Sequence, residues 1–142
     1  YETTGEEIIK QNPNITHFIG GVGTGGTISG VGKKLKEYNS RIKICTINFD
    51  EWPGIEGLKP LGEGHLIPEI FDAEIVDEEV FVDINEAYKM CKELGKKGIF
   101  VGQSSGAYIC GAKEISKSLE KASVVTLFND LGERYFSTGI WD

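Results

Sequence analysis

Apolar and polar positions along the chain switch repeatedly between a helical period and a strand period. Thr4-Gly5-Glu6-Glu7 has the form of a capping box and predicts a short helix over residues 5–11, ended by Asn12-Pro13-Asn14. Residues 15–19 form a compact, partly apolar run that stops at Gly20-Gly21-Val22-Gly23-Thr24-Gly25-Gly26-Thr27, the arrangement of a strand feeding a glycine-rich loop. Ile28, Val31 and Leu35 then recur at helical spacing, predicting a helix over 28–38 with Lys33, Lys34 and Lys36 turned elsewhere. In 42–47 the alternation places Ile42, Ile44 and Thr46 on one face of a strand and Lys43, Cys45 and Ile47 on the other.

The second half continues the alternation. Residues 48–66 are rich in Gly and Pro and read as loop, and 73–76 read as a short strand. Asp83-Ile84-Asn85-Glu86 is a second capping box, opening a helix whose positions Ile84, Ala87, Tyr88, Cys91 and Leu94 fit a 3.6-residue period, with Gly95 or Gly98 as its stop. Ile99-Phe100-Val101 is a short apolar run. Gly102-Gln103-Ser104-Ser105-Gly106 leads from it into a helix reaching about Leu119, and 123–128 form the last strand. Strictly alternating strands and helices predict a parallel sheet covered on both faces, a three-layer α/β/α arrangement. A length of 142 residues fits it into one α/β domain over 1–142.

Composition narrows the partners. A chain with 39% hydrophobic and 26% charged residues is neither disordered nor fibrous. Acidic residues outnumber basic ones by 22 to 15, giving a net charge of -7, so nucleic acid and anionic membranes are not expected as partners. No apolar run approaches the roughly 18 residues of a spanning helix, and Tyr1-Glu2-Thr3-Thr4 is unlike a signal peptide. Cys45, Cys91 and Cys110 are an odd number at wide spacing, which suits reduced core residues in a cytoplasmic protein. His17 and His65 have no cysteine or carboxylate at ligand spacing, so no metal site is expected.

The 19 glycines are the compositional outlier, and many stand in one loop. A loop between a strand and a helix N-terminus exposes unpaired amides at the positive end of the helix dipole, which makes it an anion site. Gly23, Gly25 and Gly26 let the backbone approach a phosphate, and Thr24 and Thr27 add hydroxyl donors. The plainer alternative is that the glycines serve a tight turn and close helix packing, a role that needs neither threonine. Gly21-x-Gly23-x-x-Gly26, with Asp50 beyond the next strand, also matches the dinucleotide fingerprint formally, whereas the P-loop pattern fails because Lys34 follows Gly32-Lys33 where Ser or Thr is required. Ser104-Ser105-Gly106-Ala107 is a second candidate. On its own it reads as an N-cap, but in a parallel sheet it shares the carboxyl edge with the glycine loop and with the turn at Asn129-Asp130.

In their order and spacing, Tyr1-Glu2-Thr3-Thr4-Gly5, the loop Gly21-Val22-Gly23-Thr24-Gly25-Gly26-Thr27, Gly102-Gln103-Ser104-Ser105-Gly106-Ala107 and Gly132-Glu133-Arg134-Tyr135-Phe136-Ser137-Thr138-Gly139 resemble the fold-type II pyridoxal-phosphate enzymes, and within them the cysteine synthases (O-acetylserine sulfhydrylases). Pro53-Gly54-Ile55 and Leu66-Ile67-Pro68-Glu69-Ile70-Phe71 look more like the B-type enzymes. The resemblance implies that Gly23, Thr24, Gly25, Gly26 and Thr27 hold the 5'-phosphate of pyridoxal 5'-phosphate, that Ser104 bonds its pyridine nitrogen, and that Gly54 and Ile55 lie near the substrate entrance. It further implies formation of L-cysteine from an O-activated serine (O-acetylserine or O-phosphoserine) and a sulfur donor, in a homodimer.

The chain also departs from that pattern. Gln103 stands where the family usually has a small or β-branched apolar residue, and Asn129 and Leu131 replace a Pro and often a Ser. The family's Schiff-base lysine and its substrate-gripping loop belong to a part that would precede Tyr1. Lys33, Lys34, Lys36, Lys96 and Lys97 sit in polar clusters where an amine keeps its ordinary charge, so the chain reads as the C-terminal portion of such an enzyme, inactive alone. Cystathionine β-synthases and serine or threonine dehydratases share the scaffold. The rivals from other classes are an NAD(P)-binding oxidoreductase domain and a non-catalytic anion-binding module.

Overall fold

A computed structural model of the chain describes residues 2–22, 26–50 and 71–129. The elements are α1 (Thr4–Gln11), β1 (His17–Gly20), α2 (Gly26–Tyr38), β2 (Lys43–Asn48), a 3-10 turn (Ala73–Ile75), β3 (Glu78–Phe81), α3 (Ile84–Lys96), α4 (Gln103–Ser116) and β4 (Val124–Val125). The strands form one parallel sheet in the order β3-β2-β1-β4. Its register runs from His17 opposite Lys43 to Gly20 opposite Thr46, and from Cys45 opposite Glu78 to Asn48 opposite Phe81.

Alternation along the central strands feeds two cores, because successive side chains leave opposite faces of the sheet. On one face Phe18, Ile42 and Ile44 pack with Ile8 of α1 and Ile28, Val31 and Leu35 of α2. On the other, Ile19, Cys45 and Ile47 pack with Ile84 and Ala87 of α3 and Ala107, Tyr108 and Ile115 of α4. The three-layer α/β/α arrangement read from the sequence is therefore present, with the two faces of β2 divided as the alternation predicts.

Several local expectations are corrected. Residues 73–76 are not a strand: Asp72 caps a 3-10 turn by accepting from the Glu74 amide at 3.0 Å, and the strand is Glu78–Phe81. The N-cap of α1 is Thr3, whose side chain makes no capping bond, so the capping box at Thr4 does not form. That of α3 does form in its first half, Asp83 Oδ1 accepting from the Glu86 amide at 3.1 Å, while the Glu86 carboxylate turns to Lys89 instead. Gly98, with φ +84°, is the residue that ends α3: its amide bonds the Gly95 carbonyl and the Ile99 amide bonds that of Leu94, a Schellman pair closing the helix. The run 99–101 contributes a single bridge residue, Val101, and 123–128 only the two-residue β4.

Candidate functional site

Parallel pairing brings the carboxyl ends of β1, β2 and β3 to one edge of the sheet, at Gly20, Asn48 and Phe81. There Thr126, just past β4, donates its Oγ1–H to the Ile19 carbonyl at 2.9 Å, so a side chain takes over from the ladder where the β1–β4 pairing stops. Leaving β1, the chain enters the glycine-rich connection. Gly26 and Thr27 are not loop but the first two residues of α2, with Thr27 exposed, and no acidic side chain occupies that first turn. Gly23, Thr24, Gly25, Gly54 and Ile55 lie outside the described residues.

α4 starts at the same edge on the opposite face of the sheet. Its early residue Gly106 lies against Ala87 in the first turn of α3, and α3 begins just after the carboxyl end of β3. Ser104, Ser105 and Gly106 are thus inside α4 rather than in a loop leading to it. Gln103, Ser104 and Ser105 are only 2%, 3% and 0% exposed, yet the N-cap Gly102 offers no side-chain cap and the first turn carries no acid. A helix start buried in this way turns its first amides and the positive end of the dipole toward whatever fills the space before it. The Ser105 hydroxyl is moreover buried with no hydrogen-bond partner among the described residues. A buried, positively poled helix start with a glycine N-cap and serine hydroxyls fits a polar aromatic nitrogen, and the start of α2 after a glycine-rich connection fits a phosphate. The residues present therefore suit a phosphorylated pyridine.

The turn before α4 is held by Cys91 of α3. Its thiol lies 3.2 Å from the carbonyl oxygens of both Val101 and Gly102, and burial pushes that thiol up to about 11. By its spacing Cys91 is one more apolar helical position, and nothing in that spacing signals a bond to residues ten and eleven further on. Of the lysines in polar clusters, Lys33, Lys96 and Lys97 are exposed, while Lys34 and Lys36 are half-buried in ion pairs with Glu6 and Asp77. Among the described residues no helix is long and apolar enough to cross a membrane.

Known proteins place this arrangement. The family described as pyridoxal-phosphate dependent enzyme matches residues 1–130. The cysteine synthase of Aquifex aeolicus is 44% identical over 149 residues, covering 99% of this chain and 45% of its own length. Cysteine synthase B of Salmonella typhimurium is 38% identical, with 99% and 47% covered. A crystal structure of O-ureido-L-serine synthase superposes with a TM-score of 0.88 at 31% identity, covering 99% of this chain and 48% of that one. The chain spans about half the length of the curated relatives it matches. It belongs to the pyridoxal-phosphate dependent enzyme family, and the relatives it resembles are cysteine synthases.

Proposed function

We propose that these residues form part of an enzyme that makes L-cysteine by β-replacement, exchanging the activated oxygen of an O-acetylserine or O-phosphoserine for a sulfur donor such as sulfide. The observation that carries this reading is the buried start of α4, whose N-cap is a glycine without a capping side chain and whose Ser104 is 3% exposed. Bound there, pyridoxal phosphate supplies the electron sink that lets bonds at the α- and β-carbons of an amino acid break.

Each residue has a part. Gly23, Thr24, Gly25, Gly26 and Thr27 hold the phosphate through backbone amides and two hydroxyls, with the dipole of α2 behind them. Ser104 meets the ring nitrogen with a neutral hydroxyl. Lacking a carboxylate's charge, it does not hold a proton on that nitrogen, which moderates the sink and suits elimination and replacement at the β-carbon. Gly54 and Ile55 border the substrate's approach. The formal dinucleotide fingerprint falls within residues matched by a pyridoxal-phosphate family, which weighs against the oxidoreductase alternative. We further propose a single α/β domain over 1–142, a homodimeric enzyme and a cytoplasmic setting.

The test is cysteine formation by the whole enzyme from sulfide with O-acetylserine and O-phosphoserine in turn. Turnover with at least one donor, cut tenfold or more by Ser104→Ala, supports the reading. An enzyme that carries the cofactor's absorbance but releases no cysteine from either donor contradicts it, and one lacking that absorbance contradicts the cofactor assignment as well.

A further inference from the structure

The first turn of α4 is fixed from outside itself. Its N-cap, Gly102, has no side chain to cap with. A serine in such a turn ordinarily satisfies its hydroxyl on the carbonyl three or four residues back. For Ser105 those carbonyls belong to Gly102 and Val101, yet its fully buried hydroxyl bonds neither. Both are met instead by the Cys91 thiol, at 3.2 Å each. The same cysteine also fits the crossing of the two helices. A Cβ built on Gly106 falls 3.3 Å from Cys91 Cβ and 3.2 Å from Cys91 N, so the space that Gly106 leaves open is what lets Cys91 stand this close to the turn.

We propose that Cys91 is a positioning residue for the cofactor-ring contact: its thiol, anchored on the Val101 and Gly102 carbonyls, sets where the first turn of α4 places Ser104 and leaves the Ser105 hydroxyl uncommitted. This rests on the reading of Ser104 given above. Cys91 touches neither the ring nor a substrate in this account and acts only through the turn. An alanine at 91 keeps the Cβ that seats against Gly106 and loses the donor, whereas a serine keeps a donor, so the two substitutions separate packing from anchoring.

The experiment compares the full chain with Cys91→Ala, Cys91→Ser, Ser104→Ala and the Cys91→Ala, Ser104→Ala double variant, by pyridoxal-phosphate affinity and by amide hydrogen exchange over residues 102–107 without cofactor. Loss of one net hydrogen bond predicts roughly threefold to tenfold weaker cofactor binding and a similarly faster exchange in Cys91→Ala. Cys91→Ser recovers both to within about twofold of the parent, given an ordinary hydroxyl donor. The double variant binds no more weakly than Ser104→Ala alone. Cys91→Ala that melts earlier but binds the cofactor as the parent does, while Ser104→Ala binds weakly, overturns the positioning role and leaves the functional reading intact. So does strict addition of the two losses in the double variant. If Ser104→Ala leaves affinity unchanged, or the parent binds no cofactor, the reading beneath falls and the inference with it. Should Cys91→Ala fail to fold, Cys91→Ser decides: parental exchange and affinity support the anchor, and a loss equal to that of Ser104→Ala overturns it.

Discussion

Gly106 and Ala87 are in backbone contact: a Cβ built on Gly106 lies 2.5 Å from the Ala87 carbonyl oxygen, inside any tolerable distance. The α3–α4 crossing can occur at this height only because residue 106 has no side chain, and the crossing sets the height of Ser104 two residues earlier. The obstacle is backbone, which cannot swing aside. Gly106→Ala is therefore expected to cost about 2–3 kcal/mol. Gly111→Ala meets side chains instead of backbone, Ile19 Cδ1 at 2.6 Å and Ile47 Cγ2 at 2.8 Å, and costs less because side chains give more readily than a peptide carbonyl. Urea unfolding of both variants checks the order, and equal losses contradict the account.

Gly98 supplies a second contrast. Its φ of +84° requires glycine although a Cβ there would meet nothing within 4 Å. Gly98→Ala is expected to lose about 1 kcal/mol and Gly98→Asn less, since Asn adopts this conformation more readily. Neither should alter cofactor affinity, because the turn lies at the far end of α3 from Ala87.

Acid stability is expected to depend on Asp77. Partial burial raises its carboxyl, but the Ile44 amide that it accepts at 2.8 Å and the Lys36 ammonium outweigh this and hold it below the usual carboxylate range. A carboxyl lowered in the folded state contributes stability above its unfolded value, about 3.9, and loses it as pH falls through the folded value. The parent should weaken steadily below about pH 4. Asp77→Asn should be weaker at neutral pH and show a shallower acid slope, read from urea midpoints between pH 2 and 7.

The thiols are expected to differ in reactivity. Burial, with Glu78 and Asp77 beside it, pushes Cys45 up to about 12, and burial alone pushes Cys91 up to about 11. At pH 8 a thiol of pKa 11 is thiolate only about one part in a thousand. Cys110, raised chiefly by burial but only half-buried, should be alkylated first by iodoacetamide, with Cys45 and Cys91 following only on opening of the fold. Peptide mass spectrometry reads the order. Early labelling of Cys91 contradicts the anchored turn.

The layers were legible where burial is one-sided and periodic. Ile28, Val31 and Leu35 mark α2, the two faces of β2 follow its alternation, and Asp83 marks the start of α3. β3 is hidden because, at the edge of the sheet among the described residues, its sequence Glu78-Glu79-Val80-Phe81 carries exposed glutamates that break any apolar pattern, while the more apolar Ala73-Glu74-Ile75 is drawn into a 3-10 turn by the Asp72 cap. The start of α4 at Gln103 is masked in the sequence because Gly106 reads as loop punctuation, and only the neighbouring helix reveals that it is a packing glycine. The motif around Ser104 marks the helix start that the fold buries. The Cys91 anchor and the Thr126 bond to Ile19 are long-range contacts that no local spacing encodes.

The most direct measurement is an absorbance titration of the full chain with pyridoxal phosphate, repeated with inorganic phosphate as competitor and with the Thr24→Ala, Thr27→Ala double variant. The account predicts saturable binding that both the competitor and the double change weaken. Binding indifferent to both, or no binding by a chain that circular dichroism shows to be folded, would contradict it.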